Sequence, residues 1–246
     1  VRLSRRLLCL KGQDRSDFLQ GLITNDMRLL DQQPILYSLL LSPQGRFLFD
    51  FFIIRRPDAI WIDVDAQVAE SVLRKLSMYR LKRDVQITPL GSNWHVYAHV
   101  SNAAKRAPSD DAICVNDPRH VSLGARWLMP NALQNIPDNE SIYHEKRIEL
   151  GIAEGVDMLV DQSYPMHYGL QDVHAIHFEK GCYVGQEVTA RMHYKGQIKK
   201  GIYRVASMQG KTLPNVGATI YTKDNRKIGQ MGFSINTHGL ALLQHD

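Results

Sequence analysis

Two apolar runs separated by a short turn constrain the fold of this 246-residue chain most strongly. Residues 35–41 and 47–54 are rich in Ile, Leu and Phe, and the turn between them contains Pro43 and Gly45, which favour a chain reversal. The two runs therefore predict a β-hairpin. Because both faces of the second strand are apolar, we expect the hairpin to be covered on both sides.

Asp50 interrupts the apolar second strand of this hairpin. Strict alternation places Leu48, Asp50, Phe52 and Ile54 on one face and Phe47, Phe49, Phe51 and Ile53 on the other. A buried carboxylate needs a hydrogen-bonding partner or a functional role. Asp50 is therefore either a ligand-binding acid or a carboxylate satisfied by backbone N–H groups or an arginine.

Helices and strands mix along the first 196 residues, which predicts an α+β fold. Asp14 caps a helix that should run to about Asn25, and Ser141 caps another that Gly151 ends. The other predicted elements are a helix at 66–79 and strands at 60–64, 85–88, 94–100, 112–115 and 121–128.

The pattern changes after Gly196. Short strands at 198–206, 218–221, 227–234 and 239–243 alternate with turns rich in Gly, Asn, Asp and Pro, and no helical period remains. This predicts a separate C-terminal β-barrel domain. We therefore divide the chain into residues 1–196 and 197–246.

Composition and charge limit which classes of function the chain can have. The net charge of +5 favours anionic partners without requiring a nucleic acid. Three separated cysteines lack the spacing of a disulfide framework or a zinc site, so we assign no metal ligands and expect a reducing compartment. The apolar runs are shorter than the roughly twenty residues of a membrane span. Short basic clusters, such as Arg5 with Arg6, are interpreted as solvated surface.

A reactive cysteine is predicted in Lys-Gly-Cys-Tyr-Val-Gly-Gln-Glu, residues 180–187. The following residues are expected to form a helix, which places Cys182 near a helix start. Unpaired N–H groups, the helix dipole and the Lys180 ammonium then favour the thiolate form of the cysteine. The alternative is a small side chain that fills a gap in a glycine-rich connection.

Charged residues and histidines surround this motif. Glu187 and Arg191 have the spacing of an ion pair on one helix face, and the alternative for Arg191 is contact with an anionic ligand. The flanking histidines are His174, His177 and His193. Their spacing matches no recognised metal site. A lone activated cysteine can hold a one-carbon unit, a sulfur species, or one corner of an iron–sulfur cluster whose other ligands come from a partner.

Three parts of the sequence resemble the YgfZ-type folate-binding proteins, relatives of the glycine-cleavage T-protein (aminomethyltransferase). They are residues 180–187, residues 18–26 together with 42–46 and Asp50, and residues 147–152. The resemblance implies a ring of two α+β subdomains that the C-terminal β-barrel closes. It also implies that the cofactor is tetrahydrofolate or a one-carbon derivative of it.

The resemblance also suggests site residues. The catalytic candidates are Cys182 as the reactive thiol, Lys180 as its electrostatic helper, and Asp50 near the pterin. The cofactor-binding candidates are Asp50, Arg46, Tyr168, Tyr183, Glu187 and Arg191. The alternative for the tyrosines is ordinary half-buried packing. We expect the sulfur of Cys182 and the carboxylate of Asp50 to face one common cavity.

Two positions depart from the T-protein pattern. T-proteins have a glutamate two residues after the proline that matches Pro165, where this chain has His167, and a neutral imidazole cannot offer two acceptor oxygens. T-proteins also have adjacent acids in the hairpin, whereas Phe49 precedes Asp50 here. Both departures argue against aminomethyl transfer of the T-protein kind.

Three functions are therefore considered. The resemblance favours an accessory factor for iron–sulfur cluster assembly or repair, with folate and iron–sulfur client or assembly proteins as partners and an indirect effect on tRNA modification. The alternatives are a tetrahydrofolate-dependent aminomethyl or methyl transferase, which would make the chain an enzyme, and a non-catalytic RNA- or protein-binding module. For the favoured function we expect no stable nucleic-acid or membrane binding. The expected compartment is the cytoplasm, or the mitochondrial matrix in a eukaryote.

Overall fold

Three antiparallel sheets and four helices make up the computed structural model, which describes residues 1–100, 109–134, 136, 139–196 and 198–245. The strands are β1 (Arg2–Leu3), β2 (Arg5–Lys11), β3 (Ile35–Leu41), β4 (Phe47–Arg55), β5 (Ile60–Asp65), β6 (Gln86–Pro89), β7 (His95–His99), β8 (Ile113–Asn116), β9 (Ala125–Met129), β10 (Lys200–Ala206), β11 (Thr219–Tyr221), β12 (Lys227–Ile235) and β13 (His238–Gln244). The helices are α1 (Arg15–Gln20), α2 (Ala69–Arg80), α3 (Ser141–Leu150) and α4 (Gln186–Lys195).

The thirteen strands of the described residues form three sheets. A five-stranded sheet has the order β3-β4-β5-β2-β6, and a four-stranded sheet has the order β1-β7-β9-β8. The C-terminal strands form a third sheet in the order β10-β13-β12-β11. The domain boundary at 196/197 stays a prediction, and Gln197 lies outside the described residues.

The predicted hairpin is confirmed, with one correction to its faces. Strands β3 and β4 pair antiparallel, but a register shift between Leu40 and Leu41 places Leu41 opposite Phe47 and leaves Leu48 as the extra residue. This irregularity turns Phe47 into the same buried cluster as Phe52. Strict alternation is therefore wrong at the start of β4.

Different layers cover the two faces of the five-stranded sheet. On one face, Phe51 and Ile53 belong to a cluster that includes Leu19 of α1 and Val72 of α2. The residues of the opposite face belong to a second cluster, which extends into both other sheets. Its members there include Val96, Ala98, Leu128, Leu240 and Leu242. The sheet is covered on both sides, as the sequence predicts.

Helix α1 ends earlier than predicted because the chain after it joins the sheet. The helix stops at Gln20, and Ile23 forms a β-bridge with Leu40. The backbone N–H of Thr24 donates to the carbonyl of Leu39 at 3.0 Å. In contrast, α3 ends as predicted, at Gly151 in the left-handed conformation with φ +72°.

A buried aspartate joins the five-stranded sheet to the second sheet. Asp63 of β5 accepts hydrogen bonds from Nε of Arg5 at 2.6 Å and from Nη2 of Arg126, on β9, at 2.6 Å. Burial alone raises the pKa of Asp63, but the two arginines more than offset this and hold it below its usual value. The Arg5 side chain is only 10% exposed, so its interpretation as solvated surface is wrong.

The buried pairs continue towards the third sheet. Arg119 contacts Glu154 at 2.5 Å, Glu154 lies 3.5 Å from Arg147, and Arg147 donates to Asp157 at 2.6 Å. The other oxygen of Asp157 accepts the backbone N–H of Phe233, on β12, at 2.8 Å. Arg126 also lies 3.7 Å from Asp117, which pairs with Arg119 at 2.7 Å, so the buried ion pairs and the final hydrogen bond from Phe233 connect all three sheets.

Replacing Asp157 by alanine should destabilise the fold strongly. The substitution leaves the buried Arg147 without its closest carboxylate and removes the bond to β12, and breaking one partner of a buried ion pair costs about 3–5 kcal/mol. The control is Asp58→Ala at an exposed turn, which should change the free energy of unfolding by less than about 0.5 kcal/mol. Urea denaturation measures both, and equal losses would contradict the role of the buried pair.

Candidate functional site

A central cavity lies where the three sheets meet. Its volume is about 840 Å³, and it is lined by residues of all three sheets and of α3. The lining includes Asp50 of β4, His95 of β7, Phe233 of β12 and Tyr143 of α3. The expected opening at the centre of the fold is therefore present.

Asp50 lies at this cavity and is 6% exposed. Its Oδ2 atom accepts hydrogen bonds from the hydroxyl of Tyr37 at 2.7 Å and from the backbone N–H of Gly155 at 3.1 Å. No donor to Oδ1 occurs among the described residues. Burial raises the pKa of Asp50, although the positive charge of Arg5 opposes the shift. The described residues thus satisfy one oxygen of the carboxylate, Oδ2.

Gly155 lets the backbone approach this carboxylate closely. A Cβ atom at this residue would lie 2.2 Å from Oδ1 of Asp50 and 3.2 Å from the ring of Phe47. Any other residue would therefore push the carboxylate or the backbone away and break the bond between Asp50 and the N–H group. The glycine is required by the shape of the cavity wall.

Aromatic residues and charges of both signs complete the lining, the further acids being Asp65 and Glu140. Phe47, Trp94 and Phe233 contribute apolar surface. Arg2 and Arg6 line the same cavity, and the Arg6 side chain is exposed to solvent. A flat, hydrogen-bonding ligand with an anionic tail has matching surfaces here.

Lys180 has a structural role in the loop that carries Cys182, and its predicted electrostatic effect on the thiol stays a prediction. Its ammonium is buried and donates to the carbonyls of Gln20, Ile23 and Asn25 at 2.8, 2.6 and 2.7 Å. Burial lowers the pKa of Lys180 to about 8, so the group remains protonated at neutral pH. Three hydrogen bonds thus join the ammonium to backbone oxygens, and Lys180 anchors its loop to the chain around the end of α1.

Gly185 provides a second anchor for the loop. It has φ +84°, and a Cβ atom there would lie 2.6 Å from the carbonyl oxygen of Ser42 and 3.1 Å from Cα of Gly45. The loop therefore packs directly against the turn of the β3–β4 hairpin. Two of the segments that carry the family resemblance, far apart in sequence, are in contact here.

Cys182 is exposed between these two anchors. Its alternative interpretation as a gap-filling side chain is wrong, because an exposed thiol fills no gap. Helix α4 begins four residues later, at Gln186, so the thiol does not lie at the helix start. Cys182 is also absent from the lining of the central cavity, and the expectation that it shares one cavity with Asp50 is wrong. The loop turns the sulfur towards solvent while its anchors are buried.

Two of the remaining predicted residues lie on the exposed face of α4. Glu187 and Arg191 line a shallow cleft of about 410 Å³ together with Tyr194 and Lys195. Across the described part of the chain, no ion pair joins Glu187 to Arg191. Neither residue lines the central cavity.

The other predicted ligand contacts are used inside the protein. Nη1 of Arg46 donates to the carbonyl of Asp161 at 2.9 Å. The Tyr168 hydroxyl lies 3.1 Å from the hydroxyl of Ser163, and the ring of Tyr183 lies 5.0 Å from Nζ of Lys180. Both tyrosines are buried, so the packing alternative describes them.

His167 lies outside the cavity lining as well. It is half-buried, and burial lowers its pKa, with further contributions from Lys200 and His245. The imidazole is therefore held towards its neutral form at the position where T-proteins have a glutamate.

The sequence pattern did not reveal the charged residues of the cavity wall. Arg5, Arg126 and Glu154 line the cavity, and each forms an ion pair with a residue more than thirty positions away. The sequence does contain one indication of these pairs, a single charged residue within an apolar strand. Asp63 lies within Ile-Trp-Ile-Asp-Val, and Arg126 lies within Ala-Arg-Trp-Leu. Isolated opposite charges in two apolar strands are expected to pair.

The chain is similar to several known proteins. Residues 199–246 match the family described as CAF17, C-terminal beta-barrel domain. The chain is 32% identical to the iron-sulfur cluster assembly factor IBA57 homolog, mitochondrial, of Mycosarcoma maydis, over 80% of this chain and 54% of that protein. It is 28% identical to the iron-sulfur cluster assembly factor IBA57, mitochondrial, of Homo sapiens, over 97% of this chain and 75% of that protein.

A solved structure establishes the fold. The glycine cleavage system aminomethyltransferase T from Bartonella henselae superimposes with a TM-score of 0.75 at 15% identity, over 99% of this chain and 77% of that one. The predicted α+β fold with a C-terminal β-barrel domain is confirmed. The chain covers 54% of the Mycosarcoma maydis relative and 60% of the one from Dictyostelium discoideum, so it spans little more than half of their length.

Substitutions at Lys180 and at Cys182 should affect stability differently, because Lys180 is a buried anchor and Cys182 is exposed. Lys180→Met leaves three backbone carbonyls without their donor and should lower the free energy of unfolding by about 3 kcal/mol. Cys182→Ser should change it by less than about 0.5 kcal/mol because the side chain is exposed. Thermal and urea unfolding of both variants measure the difference, and a stable Lys180→Met variant would refute the anchoring role.

Proposed function

We propose that this chain is a tetrahydrofolate-binding accessory factor for the assembly or repair of iron–sulfur clusters. The observation that carries the proposal is the presentation of Cys182, an exposed thiol on a loop fixed by Lys180 and Gly185. Structural cysteines are usually buried, whereas a thiol that binds a cluster must be accessible.

The names of the relatives support the same function. The proteins from Mycosarcoma maydis and Homo sapiens are both iron-sulfur cluster assembly factors. Both relatives are named IBA57 and not YgfZ. The resemblance to YgfZ-type proteins is therefore part of this proposal. Both relatives are described as mitochondrial. We therefore propose that this chain acts in the mitochondrial matrix in a eukaryote and in the cytoplasm in a bacterium. An effect on tRNA thiolation would follow indirectly, through modification enzymes that contain a cluster.

A single cysteine needs a partner to hold a cluster. Iron–sulfur clusters are held by four protein ligands. Within the described ranges, no three His, Cys, Asp or Glu side chains are grouped so that they could hold a metal ion. Cys182 therefore supplies one ligand to a cluster that an assembly or client protein holds with the others. The cluster is the cargo of this chain.

The central cavity fits a tetrahydrofolate. Oδ1 of Asp50 is available to accept from the pterin edge, and Phe47 and Trp94 provide apolar walls. Arg2 and Arg6 provide positive charge for the glutamate tail. When bound, the cofactor supplies a reduced ring whose nitrogens carry one-carbon units. Asp50 orients the ring, and the buried position of the carboxylate keeps water from competing for it.

The two alternatives receive less support. Aminomethyl transfer would have to proceed without the T-protein glutamate, since His167 occupies that position and lies outside the cavity lining. An RNA-binding module would not require an enclosed cavity with a buried acid.

Among the described residues, no helix combines the length and apolar composition that crossing a bilayer requires.

Loss of the exposed thiol should abolish cluster delivery without unfolding the protein. In cells that lack this protein, Cys182→Ser should fail to restore the activity of an enzyme that carries a [4Fe–4S] cluster, while the unaltered chain restores it. Cys114→Ser is the matched control, because Cys114 is also exposed but lies on β8. Full restoration by Cys182→Ser would refute the proposed ligand role.

Calorimetric titration tests the cavity directly. Tetrahydrofolate should bind at one saturable site, and Asp50→Asn should weaken binding at least about tenfold because it replaces the charged acceptor of the pterin edge. Asp58→Asn makes the same chemical change at an exposed turn and should leave the affinity unchanged. Equal affinities for all three proteins would exclude Asp50 as a ligand contact.

A further inference from the structure

The end of helix α2 and the turn after it form a strongly basic surface. Residues 74–83 read Arg-Lys-Leu-Ser-Met-Tyr-Arg-Leu-Lys-Arg, with five cations and no acid. Four of the cations are exposed, and Lys75 is half-buried with its ammonium 5.5 Å from the centre of the Tyr79 ring. We call residues 74–83 the basic end of α2. Its charge is complementary to that of an anionic partner.

The acids nearest in sequence do not neutralise this surface. Glu70 precedes it by about one helical turn, and Asp84 follows it directly. Oδ2 of Asp84 accepts the backbone N–H of Gln13 at 3.0 Å, and the N–H of Asp84 donates to Oδ2 of Asp14 at 2.8 Å. Among the described residues, no ion pair joins an acid to the basic end of α2. Its cations are therefore available to a partner.

Two large apolar side chains project from the same surface. Met78 is 70% exposed, and Leu81 is 84% exposed. Met78 lies four residues after Arg74 on the helix, and Leu81 follows three residues later, so the apolar side chains lie beside cations. A single exposed apolar residue needs no explanation. Exposed apolar side chains among cations are typical of protein surfaces that bind lipid headgroups and insert into the outer part of a bilayer.

Leu81 has a backbone conformation that favours glycine. Its φ is +50° and its ψ is −119°. A side chain is strained in this conformation, and proteins retain such strain where the residue has a function. Because Leu81 is exposed, packing in the core does not explain why a leucine occupies this position. The strain therefore supports a role for the Leu81 side chain at the surface.

We infer that the basic end of α2 is a peripheral docking surface for a bilayer that contains anionic lipids. The cations contact the headgroups, and Met78 and Leu81 enter the boundary between headgroups and acyl chains. A single-stranded nucleic acid would match the charge, but its bases stack on aromatic rings, and Tyr79 is half-buried beside Lys75. The docking surface goes beyond the proposed function and needs neither the folate site nor the thiol.

The docking surface is separate from the central cavity. Val68, immediately before α2, lines the cavity, whereas Met78 lies about 15 Å farther along the helix axis. Neither Met78 nor Leu81 belongs to the cavity lining. A peripheral contact needs no spanning helix, so the short apolar runs on which the expectation of no membrane binding rested do not exclude it.

Sedimentation with lipid vesicles tests the docking surface. Vesicles of phosphatidylcholine alone are compared with vesicles that also contain about 30% phosphatidylglycerol. We expect the unaltered chain to bind the anionic vesicles at least about tenfold more tightly in about 0.1 M salt. Most of this difference should disappear in about 1 M salt, where charges are screened beyond about 3 Å.

Two substitutions test the apolar contact. Leu81→Gly removes the side chain and relieves the strained φ, so it should weaken binding to the anionic vesicles at least about threefold while the urea midpoint stays the same or rises. Met208→Ser removes an apolar side chain that is also exposed but follows β10, and it should leave vesicle binding unchanged. Weaker binding by a stable Leu81→Gly variant cannot be ascribed to unfolding.

Two triple substitutions test the charge. Replacing three exposed cations of the basic end by glutamine should remove most of the preference for anionic vesicles. The control removes three exposed cations at the start of β12 and in the turn before it, and should keep the preference because the net charge changes equally. The first variant is Arg74→Gln, Lys82→Gln and Arg83→Gln, and the control is Lys223→Gln, Arg226→Gln and Lys227→Gln.

Several outcomes would overturn the docking surface. They are equal binding of the unaltered chain to neutral and anionic vesicles, binding to neither, and equal retention of anionic vesicles by the two triple variants. Binding of an RNA oligonucleotide or of polyglutamate without binding of vesicles would also overturn it, and would assign the basic end of α2 to a nucleic acid or an acidic protein instead.

Discussion

The simultaneous binding of Asp63 by Arg5 and Arg126 is the interaction on which the rest of the structure depends. It joins the five-stranded sheet to the second sheet, and Asp157 makes the corresponding link to the C-terminal sheet. Buried ion pairs add little stability relative to apolar packing but are costly to break. Breaking either link would therefore destabilise the present arrangement of the three sheets. Three of the residues in these ion pairs, Arg5, Arg126 and Glu154, also line the cavity.

Two functional elements are built on this frame, and they face different surroundings. The cavity encloses the Asp50 carboxylate, whereas the loop that follows Lys180 directs Cys182 to solvent. Both are tied to the N-terminal hairpin, since Asp50 is part of β4 and Gly185 packs against the turn before it. The hairpin therefore connects the cavity wall to the loop that carries the thiol. That arrangement suits a factor that joins folate chemistry to cluster delivery.

Local sequence patterns predict the helices and strands. Contacts between residues far apart in sequence determine the features that these patterns do not predict. The apolar runs of β3 and β4 and the end of α3 at Gly151 depend on neighbouring residues and are confirmed. The anchoring role of Lys180 is not visible in the sequence, because its hydrogen-bond partners lie about 160 positions earlier while Cys182 is its neighbour. Arg126 was missed for the same reason. Charge within a strand is visible in a sequence, but the group that neutralises it is not.

A crystal structure of the chain with tetrahydrofolate would test the separation of the two sites most directly. We expect the pterin ring in the central cavity, within hydrogen-bond distance of Oδ1 of Asp50, with the Cys182 thiol outside and uncovered. A pterin bound against Cys182, with Asp50 untouched, would contradict this assignment of the cavity and the thiol to separate roles.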